Sequence, residues 1–128
     1  MNKMQTLHAF WSGFGLPAFD ENTVPDEKDR IEMYGQAFPY LTYEATEDDF
    51  GNAVPQVVNL WYRSESWADV LDKEQEISDF ITRGGRMVKY DDGAMWIQRA
   101  RPWAQRLDEP NDKSVRRIVL NTIVEYMD

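Results

Sequence analysis

The sequence predicts an α+β domain, an antiparallel or mixed sheet of about five strands with helices packed on one face. Three observations lead there. Trp67, Val70, Leu71, Ile77 and Ile81 form an apolar stripe that a helix must bury. Asp91-Asp92-Gly93 separates two short runs of alternating character, a hairpin signal. Val115–Met127 is a long run rich in β-branched residues, with Ile118, Leu120, Val124 and Tyr126 on one face. The 128 residues are the length of one domain, so residues 1–128 are expected to share one core.

The elements follow in chain order. Residues 2–12 carry Met4, Leu7, Ala9, Phe10 and Trp11 near helical spacing, and Gly13, Gly15 and Pro17 stop the run. Residues 17–37 hold two prolines, Gly35 and many acids, which predicts a long loop, mobile until bound. Phe38–Glu44 reads as a strand and Pro55–Arg63 as its hairpin partner, with Thr46–Asn52 supplying the turn. Ser66 is placed to cap the helix that follows, and Gly84-Gly85 to end it in the left-handed conformation. Arg86–Tyr90 and Ala94–Arg99 form the second hairpin. Arg101–Asp112, with Pro102 and Pro110, is expected to be a polar loop that leaves Trp103 as an exposed anchor.

Composition excludes several functions. There is no cysteine, which removes disulfides, thiol catalysis and thiolate metal sites. A single histidine, His8, removes two-histidine metal sites and weakens any histidine triad. We expect no metal or organic cofactor. No apolar run approaches the length of a membrane span, and the first residues lack the form of a signal peptide. A soluble, intracellularly made protein is expected.

Charge is uneven. The whole chain has 14 Lys and Arg against 23 Asp and Glu, a net charge of −9, so no specific nucleic-acid binding is expected. Residues 20–49 hold ten acids and two bases, and residues 83–117 hold nine bases and five acids. Solvated surface accounts for such runs; so do complementary patches that meet between copies of the chain. For the second case the candidate interface residues are Asp26, Glu27, Asp29, Glu32, Arg99, Arg101, Trp103 and Arg106.

Catalytic groups are not evident. His8 has no base or nucleophile partner near it in sequence. Asp48-Asp49 and Asp91-Asp92 lie in turns, where aspartate serves local hydrogen bonding, and neither has the spacing of a calcium loop. Gly84-Gly85-Arg86 follows a helix C-terminus, the end that repels anions, so it is not a phosphate cradle.

Taken together, several strings carry a resemblance. They are the N-terminal helix with Leu16-Pro17-Ala18-Phe19 and an acidic loop to Pro25, then Phe38–Glu44, Asp48–Trp67, Arg83–Arg86, Asp91–Ile97 and Arg101–Asn121. In order and spacing the chain resembles the tail terminator (tail-to-head joining) proteins of siphovirus-type phages, over almost its whole length. It departs from them mainly in the insert-like segment Asp29–Ala37. The resemblance implies a virion structural protein with no catalytic residues, made in the bacterial cytoplasm and placed in the phage tail. It implies an α+β domain that assembles into a hexameric ring, caps the tail tube and meets the head connector. Three other functions compete: a head-completion protein on the portal side, a small enzyme acting through carboxylates, and an acidic decoy that mimics DNA charge.

Overall fold

Alternation along Val115–Met127 is strict enough to make this segment the centre of the molecule. In the computed structural model, which describes residues 1–47 and 52–127, it is the interior strand of a six-stranded sheet. The elements are α1 (Lys3–Ser12), β1 (Ala18–Asp20), α2 (Glu27–Tyr34), β2 (Tyr40–Tyr43), β3 (Ala53–Arg63), α3 (Ala68–Ile81), β4 (Arg86–Tyr90), β5 (Gly93–Asp108) and β6 (Val115–Met127). Strand order is β1-β2-β3-β6-β5-β4. β1 runs parallel to β2, and every other neighbouring pair is antiparallel. The α+β class holds, with six strands in place of about five.

The register explains the core. Leu60 pairs with Ile118, Val58 with Leu120, Ile97 with Val124 and Met95 with Tyr126. Side chains alternate across a strand, so these eight point to one face. They meet Leu7 and Trp11 of α1 and Val70, Ile77 and Ile81 of α3, all buried. Asn2 caps α1: its Oδ1 accepts from the Gln5 amide at 2.8 Å, and its own amide donates to Gln5 Oε1 at 3.0 Å. At α3 the Ser66 hydroxyl accepts from the Ala68 amide at 2.9 Å, while Trp67 occupies the cap position and is only half-buried. The helix ends one turn earlier than the Gly84-Gly85 pair, at Thr82, which takes a φ of 66°. Gly85 is left-handed as expected, at 88°, and a Cβ there would strike the Trp96 indole.

The expected long loop over 17–37 is folded. Pro17–Asp20 adds β1 to the edge of the sheet, and Glu27–Tyr34 is a helix. Local signals account for the helix: Asp26 Oδ1 accepts from the Asp29 amide at 2.9 Å, and Gly35 stops it at a φ of 80°. Its anchor is Arg30, which is buried. Arg30 donates to the carbonyls of Ala37 (2.9 Å) and Pro25 (2.7 Å), and its guanidinium lies over the Tyr40 ring at 4.2 Å. The helices expected from sequence, α1 and α3, cover one face. α2 covers the other, at the β1–β2 end. There Phe19 meets Tyr34 edge-on, and Tyr40 stacks on Trp61.

A second correction concerns Arg101–Asp112. β5 runs to Asp108, with a register shift between Arg99 and Ala104, so Arg101, Trp103 and Arg106 lie on a strand and not in a loop. β4 pairs only with Gly93–Ile97. The remainder of β5 is therefore an edge, the one place in a sheet that tolerates Pro102 and repeated charge. The Asp48-Asp49 turn lies outside the described residues.

Candidate functional site

α2 presents the acidic candidates. Asp26, Glu27, Asp29 and Glu32 are all exposed. Asp26 is consumed as the cap, and Glu27 Oε1 accepts from Arg63 Nη1 at 3.0 Å. Arg63 also reaches Asp112 at 3.3 Å. Two hydrogen bonds from Ser114, hydroxyl (2.6 Å) and amide (3.0 Å), hold the Asp112 carboxyl below its ordinary range, with Arg63 assisting. The Glu27–Arg63–Asp112 chain thus ties α2 to the ends of β3 and β6. Asp29 and Glu32 make no side-chain hydrogen bond or ion pair among the described residues.

The basic candidates lie on β5, at the other end of the sheet. Arg99 is half-buried and donates to the Ser78 hydroxyl of α3 at 2.7 Å. Trp103 is not an exposed anchor: it is half-buried, and its indole donates to Glu74 Oε1 at 2.7 Å. An indole N–H near a core needs an acceptor, and α3 supplies one. Arg106 stands apart from these two. Its guanidinium lies 5.4 Å from the Trp67 ring centre, with Arg116 at 5.5 Å from the same ring. Arg99, Ala100, Arg101 and Trp103, joined by Arg83 from the turn after α3, line a groove of about 360 Å³. The structure therefore brings Arg99, Arg101 and Trp103 together and leaves Arg106 outside. Arg83, counted in the sequence among the bases of residues 83–117 but not among the candidate interface residues, belongs to the group.

A second groove, of about 560 Å³, opens between α1 and α3 and is lined by Phe10, Phe14 and Phe80 with Glu76, Asp79 and Arg86 at its margin. Phe80 is 46% exposed. Arg86 lies over its ring and donates to its carbonyl, which satisfies the C-terminal end of α3.

Contrary to the sequence reading, His8 has a partner one helical turn away, Ser12, and a second, Tyr43, that sequence neighbours do not reveal. Its Nδ1 lies 2.9 Å from the Tyr43 hydroxyl, and its Nε2 3.3 Å from Ser12 Oγ. Burial raises the pKa of the Tyr43 phenol, aided by Asp20, so the hydroxyl remains a neutral hydrogen-bonding group. His8 and Ser12 are exposed, and neither lines the grooves described above. What this chain does is pin α1 to β2. Among the described residues no group of three or more His, Asp or Glu side chains is placed to hold a metal ion, and no helix is long and apolar enough to cross a membrane.

No family model, curated protein or solved structure matches the chain.

Proposed function

We propose that this chain is a virion structural protein of a siphovirus-type phage, a tail terminator that caps the tail tube as a hexameric ring and joins it to the head connector. The reading rests on the resemblance of the whole chain and on one structural observation. The acidic helix α2 and the arginine-lined groove occupy opposite ends of one sheet, and opposite faces of it. Surfaces so placed suit a heterologous contact, in which one patch of a subunit meets a different patch of the next and a closing rotation makes a ring. A net charge of −9 per copy keeps duplex DNA from adhering as it passes through the lumen. In this role the protein uses no metal or cofactor, performs no catalysis and acts within the tail after synthesis in the bacterial cytoplasm.

The head-completion reading uses the same surfaces toward a different partner. Binding separates the two: purified protein is added to isolated tail tubes and to portal complexes, and retention by the tubes is expected. Retention by the portal complex alone would assign the head-completion role. Restoration of infectivity to a terminator-defective phage tests the whole proposal, and failure by a folded, well-expressed chain would reject it. A DNA mimic spreads its acids over one continuous face, whereas here α2 and α3, which both carry acids, lie on opposite faces of the sheet.

A further inference from the structure

Nearly every arginine of this protein is used by its own fold. Arg30 and Arg116 bind main-chain carbonyls, Arg63 binds two carboxylates, and Arg86 closes the end of α3. Arg99 binds Ser78, Arg106 lies over Trp67, and Arg117 binds Asn59 at 2.8 Å. Among the arginines of the described residues, only the side chains of Arg83 and Arg101 make no hydrogen bond, ion pair or ring contact, and both line the same groove. Such cations are conspicuous in a chain where acids outnumber bases 23 to 14. Glu74 of α3 is occupied by the Trp103 indole.

The missing counter-charges exist elsewhere on the same chain. Asp29 and Glu32 of α2 are the exposed carboxylates left over once Asp26 has capped the helix and Glu27 has bound Arg63. α2 also exposes apolar side chains, Ile31 at 49% and Met33 at 60%. Phe80 in the last turn of α3, in the groove between α1 and α3, is also exposed. Each surface thus carries unpaired charge of one sign, and the signs are opposite. One copy cannot join them. Four strand spacings separate β1 from β5, about 19 Å, and the helix and the groove lie on different faces.

We infer that α2 of one copy docks on the Arg83–Arg99–Arg101 groove of the next, with Asp29 and Glu32 facing the guanidiniums. This names the contact for the ring proposed above and rests on that reading. The partner is a second copy of this chain, and the chemistry is carboxylate against guanidinium.

Charge exchange tests it. One variant carries Asp29→Lys and Glu32→Lys; the other carries Arg83→Glu and Arg101→Glu. A neutral pair, Asp29→Asn with Glu32→Gln and Arg83→Gln with Arg101→Gln, covers the case of a reversed variant that misfolds by circular dichroism. Self-association is followed by sedimentation and native mass spectrometry over rising concentration and on isolated tail tubes. Each reversed variant alone should associate about tenfold or more weakly than the natural chain, and an equimolar mixture should recover association, because reversed helix then meets reversed groove. The neutral variants should weaken it in the same direction. Reversed variants that assemble normally, or a mixture no better than its parts, would overturn the docking while leaving the ring intact. A natural chain that never self-associates, in solution or on tubes, would instead remove the ring and this contact together. A duplex DNA probe that loses binding in the arginine variant, with association unchanged, would give the groove to phosphate.

Discussion

Ile77→Ala tests the assignment of α3 as the lid of the core. Ile77 is fully buried, on the helix stripe that faces β3, β5 and β6. The substitution removes three buried methyl or methylene groups, and at about 0.8 kcal/mol each the transfer loss is about 2.4 kcal/mol. The cavity adds to this, because interior side chains relax only partly, so the total belongs in the range of about 2–5 kcal/mol. For a chain of this size each kcal/mol moves the melting midpoint by about 4 °C, so a fall of roughly 10–20 °C is expected. The control is Gln75→Ala, an exposed position on the same helix, which should lie within about 0.5 kcal/mol of the natural chain. Urea unfolding followed by tryptophan fluorescence measures both. A cost below about 1 kcal/mol for Ile77→Ala would mean that this face of α3 is not packed on the sheet.

Three further predictions follow from particular contacts. Arg30→Ala removes the anchor of α2, so limited proteolysis, slow in the natural chain, should become fast between residues 21 and 37; Arg30→Lys should not restore protection, because a single ammonium cannot serve two carbonyls and the Tyr40 face. Equal cleavage in all three proteins would return this segment to the status of a loop. The depressed Asp112 carboxyl stabilises the fold above its unfolded pKa of about 3.9, and that contribution is lost as pH falls through the lower folded value. The midpoint difference between the natural chain and Asp112→Asn should therefore be full at neutral pH and shrink in acid, and a difference that grows in acid would contradict the assignment. Thermal melting should be unchanged by a chelator, and a large drop in midpoint would reveal a structural metal.

The sequence was informative wherever burial follows a local period. α3, the β4–β5 hairpin and β6 are legible because their apolar residues recur at helical or alternating spacing, and Val70, Ile77, Ile81, Ile118, Leu120 and Val124 are all in the core. α2 was illegible for the opposite reason. Its apolar residues Ile31 and Met33 are exposed, and the residue it buries is Arg30, whose carbonyl and aromatic partners lie outside the helix. Only its caps, Asp26 and Gly35, announced it. The far half of β5 was hidden because an edge strand needs no alternation of buried residues and accepts proline. Trp103 was misplaced because its acceptor, Glu74, is 29 residues away in the chain. Arg83 is legible as a site only when the whole set of arginines can be compared, since its distinguishing feature is the absence of a partner.

That comparison also bears on the symmetry of any assembly. In a two-fold dimer both patches of each copy must lie on one surface, so that each patch meets the other across the axis. Here the groove sits on the side of the sheet that carries α3, through Arg99–Ser78 and Trp103–Glu74, while α2 sits on the other side through Phe19 and Tyr40. A two-fold contact on one side would set like charge against like and leave the charges of the other side unmatched. A head-to-tail contact matches both patches of every copy except at the ends of an open chain, and closure removes even those ends. Charges that hold the fold together, such as Arg63 between Glu27 and Asp112, place no restriction on symmetry. The unengaged pairs do, and the proposed docking between them calls for a head-to-tail contact rather than a two-fold one.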